Sequence, residues 1–249
     1  MTLRIKKGDV LLFSSGGMLA TLTVQAGQKL LSLGRGLDSS IIHAGIVTKG
    51  GDAFSCRVGF PNIMVTHAIA TGIQTQRLDL ILRTGYRSAL IYRPTGALVG
   101  SAKPAAAIAE RWARPSQNGR MAFATRKALM AGFGSSSYGA QAQHRAAEYH
   151  QYANTDGGPP SLHDNSMRTK SMFCSMFTVA VYQAALGTQA TSSLMGIDAR
   201  NTTPMKLADF LRRKGFVQAG HVFQMSGSSD IHVVDGHGTE IAAPMSFFT

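Results

Sequence analysis

The sequence predicts an α+β fold in which an antiparallel sheet packs on one buried central helix. Apolar segments of strand length, bounded by turn residues, recur as far as Pro94. Residues 171–187 instead form an almost wholly apolar segment of helical length, and a helix without a polar face has to be buried on most sides. We expect Ser171 to cap this helix at its start and Gly187 to cap it at its end.

The other elements follow from local patterns of apolar and turn residues. The expected strands are 10–13, 41–48, 53–58, 62–70 and 88–94, with one or two more within 216–234. A hairpin turn at 49–52 is expected to follow the second of these strands. Helical spacing predicts a helix over 18–33, and Thr203 followed by Pro204 predicts the start of another within 201–213.

The middle of the chain has a different composition. Alanine-rich segments predict helices at 102–113, 122–131 and 140–152, and a polar loop at 154–170 has the length of a lid or mobile segment. We find no repeat and no linker. The sequence therefore predicts a single domain over 1–249, with a helical and loop insertion at 102–165.

The two cysteines, Cys56 and Cys174, are too few for a disulfide framework and lack the paired spacing of a zinc site. Cys56 lies on a predicted strand and is interpreted as a small buried apolar residue. The sequence requires no metal and no organic cofactor.

The chain carries 25 Lys and Arg against 13 Asp and Glu, a net charge of +12. This excess favours anionic partners, such as a cell wall or a lipid surface. The basic residues are scattered, which argues against specific nucleic-acid binding. The N-terminus lacks the pattern of a secretory signal, and apolar runs fall short of the roughly 18 residues that a transmembrane helix needs. We expect synthesis in the cytoplasm and, if the protein is exported, a signal-independent secretion system.

Cys174 lies in the predicted first turn of the central helix. Unpaired amide groups and the positive end of the helix dipole favour a thiolate there. Thr178 follows by four residues and shares the same edge of the helix. The position suits a nucleophile, although a buried structural cysteine is an open alternative.

A cysteine nucleophile needs an imidazole within hydrogen-bond reach. His43 lies inside an apolar strand, next to Ala44 and Gly45, whose small size lets another group approach closely. His67 occupies a second strand-like position. For both, a core histidine that bonds to backbone is the alternative reading. Five other histidines are interpreted as solvated or as turn residues: His144, His150, His163, His232 and His237.

Five segments in a fixed order, together with 203–208, resemble the circularly permuted NlpC-like papain-fold hydrolases, a superfamily that also contains the lecithin:retinol acyltransferase-like enzymes. The segments are Gly8–Phe13, His43–Val47, Thr66–Ile73, Leu90–Pro94 and Phe173–Phe177. The resemblance covers most of the chain outside 102–165. It implies a permuted papain-like fold with Cys174 as nucleophile, His43 as general base and His67 as the third polar group.

Two enzymatic functions are expected from this resemblance. One is a peptidoglycan amidase or endopeptidase that acts as a secreted antibacterial effector, which implies an immunity protein. The other is a lipid-directed phospholipase or acyltransferase, or a thioesterase. Many bacterial members have Glu where this chain has His67, so a histidine there is more similar to the acyltransferase-like branch, and the twelve methionines could form adaptable apolar surfaces. A basic binding module without activity is a third reading.

Overall fold

The computed structural model describes residues 2–15, 40–54, 62–115, 131, 134–160, 172–224 and 230–241. Within them the chain is α+β, with a mostly antiparallel sheet. The strands are β1 (Leu3–Ile5), β2 (Val10–Ser15), β3 (Ile41–Lys49), β4 (Gly51–Ala53), β5 (Met64–Ile69), β6 (Gly72–Arg77), β7 (Tyr86–Pro94), β8 (Phe216–Gln224) and β9 (Ile231–Asp235). The α-helices are α1 (Leu78–Thr84), α2 (Val99–Trp112), α3 (Ala140–Gln151), α4 (Cys174–Leu194) and α5 (Pro204–Arg213).

Seven strands form the main sheet in the order β6-β5-β3-β2-β7-β8-β9, and each neighbouring pair is antiparallel. The expected hairpin turn at 49–52 is wrong, because β4 pairs with β1 in a separate two-stranded sheet. Gly50 lies against the backbone of this region, where an added Cβ would come within 2.4 Å of the Ile5 carbonyl oxygen. The chain therefore turns away from β3 and toward β1.

The two faces of the sheet support two apolar cores, because successive side chains of a strand point to opposite faces. Ala44 and Ile46 of β3 belong to the core that contains helices α2 to α5. Phe13 and Val47 belong to the second core, which contains α1. Strand β3 thus has both faces covered, which explains its nearly continuous burial.

The central helix α4 is buried along its first turns, as predicted. It begins at Cys174 with Phe173 as the N-cap, which makes no side-chain cap bond. The expected cap at Ser171 is therefore wrong in position, and Ser171 itself lies outside the described residues. Gly187 has a φ of 72°, so it ends the first straight segment as predicted, but a second helical segment continues to Leu194.

Helices α2 and α3 confirm two of the predicted helices in the middle of the chain. They pack on α4 through small and aromatic residues, among them Ala105, Ala109, Trp112 and Tyr149. This part of the predicted insertion therefore contributes to the main core. Thr203 caps α5 as predicted, because its side-chain oxygen accepts a hydrogen bond from the Lys206 amide.

Several predictions fall outside the described residues. These are the helix at 18–33, most of the helix at 122–131, the strand beyond residue 54 that includes Cys56, and the main part of the loop at 154–170. Strand β6 and helix α1 were not predicted from the sequence. Among the described helices, none combines the length and the apolar character needed to cross a membrane.

A buried ion pair joins the start of β2 to the end of β7. The Asp9 carboxylate, 1% exposed, accepts hydrogen bonds from the Arg93 guanidinium at 3.1 and 2.7 Å and from the Lys6 amide at 2.8 Å. Beside it, the Tyr182 hydroxyl of α4 donates to the Gly8 carbonyl. This corner therefore links the sheet to the central helix.

We predict that Asp9→Asn lowers the free energy of unfolding by about 3–5 kcal/mol, because it leaves the Arg93 charge without its buried partner. Chemical denaturation measures the change. The control is Asp209→Asn, whose pair with Arg213 is exposed on α5, and which should change stability by less than about 1 kcal/mol. Equal effects of the two substitutions would contradict the structural role of Asp9.

Candidate active site

Two buried histidines on neighbouring strands are hydrogen-bonded to each other. His43 of β3 and His67 of β5 are 5% and 1% exposed, and His43 Nε2 lies 2.8 Å from His67 Nδ1. On its other side, His67 Nε2 lies 3.0 Å from the Gln76 Oε1 atom of β6. Because His43 Nε2 bonds to His67, His43 Nδ1 is the ring nitrogen that is available to another group.

Gly45 allows the two histidines to approach. It lies on the same face of β3 as His43, and an added Cβ would lie 2.8 Å from Val65 Cγ1 and 3.2 Å from His67 Cβ. A side chain at position 45 would therefore push β5 away from β3. This confirms the sequence-based expectation that the small residues beside His43 admit a close neighbour.

Cys174 lies where strands β3 and β5 separate. The Val47 carbonyl accepts a hydrogen bond from the Gly8 amide, and the Val47 amide donates to the Asp9 carbonyl, both on the β2 side. Backbone groups of successive strand residues point to opposite neighbouring strands, so Ala44, three residues before Val47, directs its amide toward β5. The ladder between β3 and β5 begins only at Ile46. The Ala44 amide instead lies near the Cys174 thiol and acts to lower its pKa, so Cys174 is close to the residue that follows His43.

Tyr86, the first residue of β7, contacts His43 and lies near Cys174. Its ring stacks on His43 with the centroids 4.8 Å apart and the planes 15° apart. Burial raises the pKa of Tyr86, and the nearby charge of Cys174 adds to this effect. Phe13 lies against both rings, at 5.6 Å from His43 and 5.2 Å from Tyr86. The aromatic contacts therefore hold the His43 ring in one orientation.

Burial determines the protonation states at the site. It raises the pKa of Cys174 to about 11, although hydrogen bonds from the amides of Ala44, Ser175 and Cys174 itself act in the opposite direction. Burial, together with the nearby His67, lowers the pKa of His43 well below 6.5. Burial also lowers the pKa of His67 to about 4, which the bond to Gln76 partly offsets. At neutral pH the site therefore holds a neutral thiol and two neutral imidazoles.

This state differs from the sequence-based expectation of a thiolate. The amides at the start of α4 do favour the thiolate, as predicted, but the loss of solvation in the buried site has the larger effect. Thr178, the expected polar neighbour on the helix edge, donates to the Cys174 carbonyl at 3.0 Å. Its hydroxyl therefore stabilises the helix backbone at the cysteine.

The structure joins His43 and His67 by a hydrogen bond. Cys174 lies near two neighbours of His43, the Ala44 amide and the Tyr86 ring, and the histidines described next lie elsewhere. His150 Nδ1 lies 2.8 Å from the Ala184 carbonyl, and His232 Nδ1 lies 2.7 Å from Glu240 Oε1. His163 lies outside the described residues. Within the described ranges, groups of three or more His, Cys, Asp or Glu that could hold a metal are absent.

Sequence reasoning missed three contributors to the site: Tyr86, Gln76 and the Ala44 amide. Tyr86 precedes the predicted strand by two residues, so it was not counted as part of the sheet. Gln76 lies on β6, a polar strand with little apolar alternation. The turn residues Thr71 and Gly72 before it, where Gly72 has a φ of 111°, are a hairpin signal that could have located this strand.

Comparisons of the chain with protein-family models, with curated proteins and with solved structures give no match. The functional argument therefore uses the chemistry of the site.

We predict that Gly45→Ala costs about 1–3 kcal/mol of stability, because the new methyl group overpacks the contact with Val65 and His67. Thermal and chemical denaturation measure this cost. The control is Gly100→Ala in α2, where an added Cβ meets open space and where alanine should be neutral or stabilising by up to about 1 kcal/mol. A Gly45→Ala protein as stable as the wild type would contradict the close approach.

We predict that His43→Ala changes the pH dependence of Cys174 alkylation by iodoacetamide, measured by mass spectrometry in a Cys56→Ala background. With His43 present, the lowered pKa of this base keeps it neutral, so labelling should persist below pH 6.5. Without it, the rate should rise about tenfold per pH unit toward pH 11, because only the ionised thiol reacts.

The control for this experiment is His144→Ala, at an exposed position of α3, which should keep the wild-type profile. Circular dichroism at each pH establishes that the variants are folded. If His43→Ala and the wild type have the same profile, His43 is not the base for Cys174.

Proposed function

We propose that the protein is a cysteine hydrolase that performs acyl transfer by covalent catalysis. The observations that support this proposal are the buried hydrogen bond between His43 and His67 and the position of Cys174 at the start of α4, near the amide of Ala44, the residue after His43. A nucleophile, a base and a group that orients the base are the three parts that covalent acyl transfer needs.

In the first step the Cys174 sulfur attacks the carbonyl carbon of an amide or ester. Because the thiol and the imidazole are both neutral at rest, the thiol proton moves to His43 Nδ1 during the attack. The tetrahedral intermediate then collapses and expels the amine or alcohol, which takes this proton from His43. Water, activated by the same base, hydrolyses the thioester and restores the free thiol.

The start of α4 supplies donors for the oxyanion. Cys174 is the first residue of the helix, so its amide has no acceptor within the helix. Such amides stabilise the negative charge that develops on the carbonyl oxygen. The Ala44 amide acts to lower the Cys174 pKa and so favours the thiolate that leaves when the thioester is hydrolysed.

The order of the elements supports the proposed fold, a circularly permuted papain-like fold of the NlpC type. The strands that carry His43 and His67 precede the helix that carries Cys174, the reverse of the papain order. The helix packs on the antiparallel sheet, as this resemblance implies. The same resemblance assigns the three roles to Cys174, His43 and His67.

For the substrate we propose a peptide bond of peptidoglycan, and for the biological role an exported antibacterial effector with an immunity partner. The net charge of +12 favours an anionic wall polymer. The methionine argument for a lipid substrate loses support, because four described methionines are core residues rather than surface residues: Met172, Met176, Met195 and Met205. The histidine at position 67 still favours a lipid-directed enzyme, and the net charge also suits an anionic lipid surface.

The test compares the wild type with Cys174→Ala on two substrates, purified cell-wall sacculi and mixed phospholipid vesicles, with mass spectrometry of the products. We expect muropeptides cut at a peptide bond from the wild type only. Cys56→Ala is the matched control and should retain activity. Released fatty acid or lysolipid would show that the substrate is a lipid and not the wall polymer. Identical products from the wild type and Cys174→Ala would contradict the assignment of Cys174 as the nucleophile.

A further inference from the structure

We propose that Gln76 is a positioning residue that holds His43 in the tautomer with a free lone pair on Nδ1. The proposal deepens the proposed function and depends on it for its catalytic meaning. The tautomer itself can be measured without any substrate, so the two can fail separately.

The argument begins with the contact between Gln76 and His67. Gln76 Oε1 lies 3.0 Å from His67 Nε2, and an amide oxygen can only accept a hydrogen bond. His67 Nε2 must therefore carry the proton of the neutral ring. A neutral imidazole has one protonated nitrogen, so His67 Nδ1 is left as an acceptor.

The same argument determines which nitrogen of His43 carries the proton. His67 Nδ1 accepts, so its partner His43 Nε2, at 2.8 Å, must donate. The neutral His43 ring then has its proton on Nε2 and a lone pair on Nδ1. This is the form that can take a proton from the Cys174 thiol, because the opposite tautomer has already filled Nδ1.

Two further side chains hold the Gln76 amide in this orientation. Gln76 Nε2 donates to Gln74 Oε1 at 3.3 Å, and Gln74 Nε2 donates to Thr71 Oγ1 at 2.6 Å. Reversal of the Gln76 amide by itself would break the bond to Gln74 and direct an NH₂ group at His67. The two glutamines lie on one face of β6, so the strand sets their spacing.

The chain of hydrogen bonds therefore has one direction, from His43 through His67, Gln76 and Gln74 to Thr71 at the surface. Among the described titratable groups, His67 bonds to His43, Tyr86 stacks on it, and Cys174 lies near Tyr86 and the Ala44 amide. None of these three forces the His43 tautomer unless His67 is itself fixed. Gln76 supplies that constraint, since it offers His67 an oxygen that cannot donate.

Loss of the Gln76 oxygen should allow both His67 and His43 to change tautomer. If His67 takes its other tautomer, its Nδ1–H donates to His43 Nε2, and the His43 proton moves to Nδ1. His43 Nδ1 then carries a proton and cannot accept one from the thiol in the proposed mechanism. We expect the rate of Cys174 alkylation at neutral pH to fall about tenfold, the effect of losing one hydrogen bond that a reaction depends on.

The experiment compares four proteins in a Cys56→Ala background: the parent, Gln76→Met, Gln76→Glu and Gln218→Met. Met removes the acceptor with little change in length, whereas Glu keeps an acceptor at the same place. Gln218 is exposed on β8 and provides the matched control. Long-range ¹H–¹⁵N NMR identifies the protonated nitrogen of each histidine, and the His43 signals are assigned by their loss in His43→Ala.

We expect the parent and Gln218→Met to carry the proton on Nε2 of both His43 and His67. Gln76→Met should show mixed tautomers and slower labelling by iodoacetamide, and Gln76→Glu should restore both properties. A proton on Nδ1 of His43 in the parent overturns the proposal without any variant, and so does a Gln76→Met protein, folded by circular dichroism, with unchanged tautomers. Failure of the wall or lipid assays concerns the proposed function alone.

Discussion

The hydrogen bond between His43 and His67 is the interaction on which the rest of the site depends. It forms inside the sheet, between side chains of two strands that Gly45 allows to lie close together. A bond between two buried polar rings needs complete pairing, because an unpaired polar group in a dry interior costs free energy. The Gln76 amide oxygen pairs with the second nitrogen of His67. The rings of Tyr86 and Phe13 pack against His43.

The central helix carries the proposed nucleophile near this preformed pair. Its first residue, Cys174, reaches the sheet where the ladder between β3 and β5 has ended, so an amide of β3 is available to the sulfur. Burial keeps the thiol and the imidazoles neutral, which suits a base that accepts a proton during attack rather than before it. The corner formed by Gly8, Asp9 and Arg93 fixes the same helix to the sheet from the other end of β2.

Sequence reasoning could identify the α+β class, the buried helix and the candidate residues because these depend on local patterns. Gly45 is visible in the sequence as a small residue beside a strand histidine, and its effect on strand spacing follows directly. The pairing of β4 with β1 could not be predicted, because it depends on a close approach of Gly50 to distant backbone. The neutral state of Cys174 also depends on burial by the whole fold, which outweighs the local effect of the helix start.

The most direct test of the account is the reaction of the protein with p-nitrophenyl acetate, an activated ester that does not require knowledge of the natural substrate. Rapid quenching and peptide mass spectrometry locate the acetyl group. The account predicts a burst of p-nitrophenolate that matches the enzyme concentration, with the acetyl group on Cys174, and loss of the burst in His43→Ala. A wild-type protein without a burst, or one acetylated equally on Cys56 and Cys174, would contradict it.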